Sequence, residues 1–142
     1  RISLHTKRIE KIIGKNMKNK KIAFLGVTFK PNTDDMRDST SLKMIPFVEK
    51  NGAIVEYYDP SGEKKDFKRL KNCKFNSNVK KMCVDADLII LHTEWDEFKS
   101  LDFKKLVSKK KFKVYDLRNL YNFNEMLRKG IKYYSIGRPT IN

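Results

Sequence analysis

Five short runs rich in apolar residues recur along the chain with helix-patterned segments between them, and this alternation constrains the fold more than any other feature. The first is Lys21-Ile22-Ala23-Phe24-Leu25-Gly26, and Ile54 to Tyr58, Asp87 to His92, Phe112 to Asp116 and Lys132 to Ser135 follow it. Runs this short and this apolar are what strands buried on both faces require. Ahead of them, Ile2, Leu4, Ile9, Ile12 and Ile13 recur at roughly the 3.6-residue helical period up to about Met17, which predicts an N-terminal helix. Asp38, Ser39 or Thr40 is placed to cap a helix reaching about Lys50, with Asn51-Gly52 as its stop, and Pro46 predicts a kink or a displaced start. Further short helices are expected near Val79 to Val84, from Leu101-Asp102 to about Ser108, and behind the capping pattern Asn122 to Glu125, where Phe123, Met126 and Leu127 form the apolar stripe before Gly130. Strands separated by helices must run parallel, because each right-handed crossover lays its helix on one face of the sheet. The fold class is therefore α/β: three α/β/α layers around a mainly parallel five-stranded sheet, preceded by a helix.

A chain of 142 residues holds one compact core of this kind. No apolar run approaches the ~18 residues of a membrane-spanning helix, and no signal peptide leads the sequence, so a soluble, cytoplasmic domain is expected. Arg1 in place of an initiating Met, and a first segment that begins mid-pattern, lead us to expect a piece of a longer protein.

In a doubly wound sheet, ligands gather beyond the carboxyl ends of the strands, where the strand order reverses. The first strand should end there. A dinucleotide fold would continue with GxGxxG, whose glycines let a helix N-terminus approach pyrophosphate. Here the chain reads Gly26-Val27-Thr28-Phe29-Lys30-Pro31-Asn32-Thr33-Asp34-Asp35-Met36-Arg37-Asp38-Ser39 instead. Pro31 keeps Lys30 out of helical dihedrals, so a long polar loop offers the two cations Lys30 and Arg37 at this edge. Pairing of Arg37 with Asp34, Asp35 or Asp38 to hold the loop is an equal alternative to ligand binding.

That segment resembles the GxxFKxxTDDxRxS signature of the UDP-glucose/GDP-mannose dehydrogenase family, in wording nearest to its UDP-glucose branch. Gly52-Ala53 through Tyr58-Asp59-Pro60, His92-Thr93-Glu94-Trp95-Asp96-Glu97-Phe98, Asp116-Leu117-Arg118-Asn119 and Tyr133 to Arg138 continue the likeness in order, from about Arg8 to Arg138. The resemblance implies a Rossmann-like C-terminal domain over residues 20–142 that holds the uridine diphosphate end of UDP-glucose. Residues 1–19 would be the tail of a helix linking it to an N-terminal domain absent from this chain. It implies substrate contacts from Phe29, Lys30 and Arg118, and a contact from Arg37 to NAD, which the N-terminal domain would mainly bind. Leu117 stands where the family often has Gly. The catalytic cysteine of the family lies in the absent part, so no catalytic residue is assigned here and the fragment alone should be inactive; the full-length enzyme would be a homo-oligomer.

Other residues carry weaker signals. Basic residues outnumber acidic ones 32 to 17, for a net charge of +15, which suits a polyanionic partner. A basic nucleic-acid-binding module is the alternative from another class, although no RNP-like aromatic motif, zinc spacing or helix-turn-helix accompanies the charge. The same domain from a GDP-mannose or UDP-N-acetylmannosamine dehydrogenase is the alternative within the family. Cys73 and Cys83 lack the spacing of a metal site or redox pair, and two free thiols are expected. Asp59-Pro60 reads as a turn rather than a ribose-binding acid, His92 as a poor metal or catalytic candidate, and Trp95 and Phe98 as packing residues.

Overall fold

A computed structural model describes residues 4–136. Its elements are α1 (Leu4–Ile13), β1 (Lys21–Leu25), α2 (Ser41–Lys50), β2 (Ile54–Tyr58), β3 (Cys73–Phe75), α3 (Val79–Cys83), β4 (Leu88–Leu91), α4 (Phe103–Leu106), β5 (Lys113–Asp116), α5 (Phe123–Arg128) and β6 (Lys132–Ser135). Short 3-10 turns cover Lys65–Phe67 and Asp96–Phe98. The six strands form one sheet in the order β3-β2-β1-β4-β5-β6, and every pairing is parallel.

The expected five strands are thus one too few. The missed strand, β3, is three residues long and pairs at the sheet edge through Val55 opposite Cys73 and Tyr57 opposite Phe75. Only Cys73 is fully buried in it, so the lysine-rich segment around it carries almost no apolar pattern. The other strands alternate between two cores. Ile22, Phe24, Val55, Tyr57, Leu88 and Ile90 face Ile9, Met44, Ile45 and Val48 of α1 and α2. Ala23, Leu25, Ile89, Leu91 and Val114 face Met82, Phe103 and Met126 of α3, α4 and α5. The N-terminal helix is therefore part of this domain's core, with Ile9 and Ile12 buried against it.

Helix ends follow the capping residues. Asn78 and Asn122 accept the backbone N–H of Lys81 and Glu125 at 3.0 and 2.9 Å, and Asp102 opens α4. At α2 the side chain of Thr40 makes no capping bond; the hydroxyl of Ser39 accepts the Ser41 N–H instead. This helix starts at Ser41 and runs through Pro46, so the proline does not displace its start. Gly52, at φ +104, ends it as expected, donating to the Glu49 carbonyl. Leu127 departs from the expected stripe: it is 47% exposed, because the six-residue α5 turns only Met126 fully into the core. Cys73 and Cys83 are free and buried, and burial pushes both thiols up to about 12, so neither is a ready nucleophile.

Candidate functional site

The strand order reverses between β1 and β4, and the loops beyond their carboxyl ends meet there. Gly26 sits at φ +82 directly after β1, where a Cβ would lie 2.6 Å from the Cβ of Thr93. The chain then turns on a buried carboxylate. Asp59, at the end of β2, accepts the Val27 N–H at 2.8 Å and the Thr28 N–H at 3.3 Å with one oxygen, and the Ser61 N–H with the other. In a dinucleotide fold the amides after the first strand face a pyrophosphate. Here an internal carboxylate already holds them, so Asp59-Pro60 is a turn that also pins the loop, and the loop does not fit a dinucleotide. The hydroxyls of Ser39 and Ser41 donate to the carbonyl of Val27 and close the far end, while Asn32 and Asp38 take positive φ between.

A second knot holds the loop after β5. Asp116 is fully buried; it accepts the N–H of Arg118 at 2.9 Å with one oxygen, and the N–H groups of Leu120 and Tyr121 and the hydroxyl of Tyr133 with the other. Arg118 thereby projects across the sheet ends. Its Nε donates to the carbonyl of His92 at 2.8 Å and its Nη2 to the carbonyl of Phe29 at 3.2 Å, joining the loops of β5, β4 and β1. Glu94 brings a carboxylate oxygen to 3.6 Å from Nε, and that buried oxygen has no hydrogen-bond donor. The two hydrogen bonds of the guanidinium go to neutral carbonyls, its ion pair with Glu94 is long, and a third of the side chain is exposed, so the group can still meet an anion. Arg118, Phe29, His5, Thr40 and His92 line a hollow of about 170 Å³, over which Phe29 is 48% exposed.

Of the residues singled out from the sequence, Phe29 and Arg118 come together at this hollow. Lys30 is exposed one residue further along and is not among the lining side chains. Arg37 stands apart, over a wider groove of about 750 Å³ between residues 33–37 and 61–66. Its guanidinium is paired with Asp35 through two bonds of 3.0 Å and is 88% exposed, and this contact holds the Asp35 carboxyl down to about 2. Sequence reasoning missed Asp116, His5 and Thr40. The Asx pattern of Asp116 two residues before Arg118 was the one local signal; the others approach only through the fold.

His92 is neutral by construction. The Thr93 hydroxyl gives its single hydrogen to the Thr28 carbonyl, so His92 Nδ1 must be the donor to that oxygen and Nε2 accepts from Thr40. Burial, then the charges of Arg118 and His5, lower its pKa to about 3. His5, bonded to Tyr115, is also lowered, by burial and then by Arg8 and Arg118. Since the unfolded chain binds protons on a histidine near pH 6.5 and the fold does not, the contribution of His92 to stability is present above that pH and is lost as pH falls toward 3. In a pH titration by NMR the His92 ring should stay in its Nδ1–H form to below pH 4.5; protonation near pH 6.5 would refute the assignment. Trp95 donates to the hydroxyl of Thr28 and Phe98 is buried, both as packing residues.

The sheet order, the switch-point hollow and the cation anchored above it define a nucleotide-binding class of α/β domain with its own dinucleotide cradle closed. The model of the UDP-binding domain of the UDP-glucose/GDP-mannose dehydrogenase family matches residues 23–123, and the chain belongs to that family. It is 41% identical over 127 residues to the UDP-glucose 6-dehydrogenase of Rhizobium meliloti (strain 1021), covering 89% of this chain and 29% of that protein. Identity is 35% over 140 residues to the UDP-glucose 6-dehydrogenase of Rickettsia bellii (strain RML369-C), covering 96% and 32%. The crystal structure of an NDP-N-acetyl-D-galactosaminuronic acid dehydrogenase from Methanosarcina mazei Go1 superposes with a TM-score of 0.78 at 26% identity, over 94% of this chain and 29% of that one. The chain thus spans about a third of the length of the relatives it matches.

Proposed function

We propose that this chain is the sugar-nucleotide-binding part of a cytoplasmic UDP-glucose 6-dehydrogenase that oxidises UDP-glucose to UDP-glucuronate with two NAD. The observation that carries the reading is the guanidinium of Arg118, held on the carbonyls of His92 and Phe29 at the switch point, a third exposed and only loosely paired with Glu94. Arg118 and Lys30 would hold the diphosphate, and the exposed ring of Phe29 would pack on the ligand beside them. The Glu94 oxygen beside Arg118, which has no hydrogen-bond donor, would accept a hydrogen bond from a ligand hydroxyl or ring N–H.

The loop after β1 does not fit NAD, for the reason given by Asp59, so the hydride chemistry belongs to a preceding domain to which residues 1–19 lead. Arg37, on the rim of the neighbouring groove, would exchange Asp35 for the cofactor there. The chain alone is accordingly inactive as a dehydrogenase, since the facing half of the cleft supplies the positioning; the full-length enzyme would be a homo-oligomer.

Calorimetric titration with UDP-glucose, UDP and GDP tests the reading. UDP and UDP-glucose should bind and GDP should not, and Arg118→Ala should weaken binding by about 1.5–3 kcal/mol, roughly 10- to 150-fold, as one charge-assisted contact is lost. Preference for GDP would move the chain to the GDP-mannose branch. Equal affinity of Arg118→Ala and the unsubstituted chain would reject the site.

A further inference from the structure

The amino ends of the strands, opposite Arg118, carry a second hollow, of about 280 Å³, lined by Lys20, Asp87, Lys109, Lys111, Lys113 and Lys132 beside Ile13. We propose that this hollow is an anion site, remote from the sugar-nucleotide site, for the polyphosphate chain of a small molecule.

The sheet itself assembles the charge. Lys113 opens β5 and Lys132 opens β6, and the two are register partners on adjacent parallel strands, so their side chains leave the same face one strand spacing apart. Like charges so placed repel and destabilise the sheet. Lys20 directly precedes β1, and Lys109 and Lys111 precede β5, so the same end of the sheet gathers all five lysines. The one carboxylate among them is already used: Asp87 accepts the Lys21 N–H at 2.8 Å with one oxygen and pairs with Lys109 at 3.0 Å with the other. Lys113 finds no carboxylate among the described residues and donates instead to the carbonyl of Ile12 in the last turn of α1, at 2.6 Å. Burial, then Lys132 and Lys20, lower its pKa, as expected of an ammonium crowded by its own kind.

The lining selects the ligand class. Its cations among the described residues are lysines, which bind phosphate as point charges with freely turning donors. Among the described residues it has no aromatic ring on which a base could stack and no arginine fork, which favours recognition of the phosphates over a nucleoside. A hollow of about 280 Å³ also suits a short polyphosphate better than a long nucleic acid strand, which needs an extended track.

The test is an amide NMR titration of the isotope-labelled chain with inorganic tripolyphosphate, ATP and a thymidine oligonucleotide at about 0.15 M salt, where exposed charges are largely screened. The expected result, with the Arg118 site first saturated with UDP, is saturable 1:1 binding of tripolyphosphate, with shifts centred on Lys20, Asp87, Lys113 and Lys132. ATP should bind similarly and shift the same amides if the phosphate chain is the recognised part; binding of tripolyphosphate alone identifies the inorganic form. The double variant Lys111→Gln, Lys132→Gln should weaken binding about tenfold, while its thermal midpoint stays level or rises because a repulsion is removed. UDP titrated into the same variant should bind as before. Unsaturable shifts spread over the surface lysines, tighter binding of the oligonucleotide, or an unchanged affinity in the double variant would each overturn the proposal.

Discussion

Asp116→Ala is expected to lower the stability of this domain by about 3–5 kcal/mol, the range for removing one partner from a buried charge-assisted network. Four donors lose their acceptor together: the N–H groups of Arg118, Leu120 and Tyr121 and the hydroxyl of Tyr133. Tyr133 retains an alternative acceptor in the Tyr121 carbonyl at 3.2 Å, but the three amides have no other acceptor among the described residues. The same loop carries Arg118 over the carbonyls of His92 and Phe29, so UDP affinity should fall even at temperatures where the variant stays folded. Urea unfolding and a UDP titration measure the two effects. A loss of stability below about 1 kcal/mol would show that water replaces the carboxylate, and the account of the loop would fail.

Gly26→Ala is expected to cost about 3 kcal/mol or more from two sources. A side chain at φ +82 carries backbone strain of about 1–2 kcal/mol. The added Cβ would stand 2.6 Å from Thr93 Cβ and 3.0 Å from the Thr93 backbone nitrogen, and Thr93 is fully buried. Relieving that overlap costs roughly a further 1–3 kcal/mol and pulls Thr93 from its 2.8 Å bond to the Thr28 carbonyl. Because the hydroxyl of Thr93 also fixes the His92 tautomer, the variant should raise the His92 pKa toward 6.5, which the NMR pH titration reads directly. A midpoint in denaturant equal to that of the unsubstituted chain would refute the steric account.

Both sites show where the sequence was legible and where it was not. β1 and β4 announced themselves because strands covered on both faces need an unbroken supply of apolar side chains, as in Ile22-Ala23-Phe24-Leu25, while β2, β5 and β6 kept enough buried apolar and aromatic residues to be read. β3 gave no such signal, since an edge strand that buries Cys73 alone needs none. Capping residues such as Asn122 act within three residues of themselves and were readable for that reason. The choice for Arg37 between loop and ligand stood open because both use the same charge, and the bonds to Asp35 now occupy it.

By itself, the sequence determined which segments become strands and helices and which cations stand at their ends, because side-chain periodicity and capping act over a few neighbouring residues. Tertiary structure alone decided which of those ends meet. The order β3-β2-β1-β4-β5-β6 sets β1, β4 and β5 side by side, so that Arg118 reaches carbonyls 26 and 89 residues away, and the parallel register sets Lys113 beside Lys132. Backbone hydrogen bonds between strands are chemically alike at every position, so the pairing is selected by how the whole set of apolar faces packs, a condition no single segment carries.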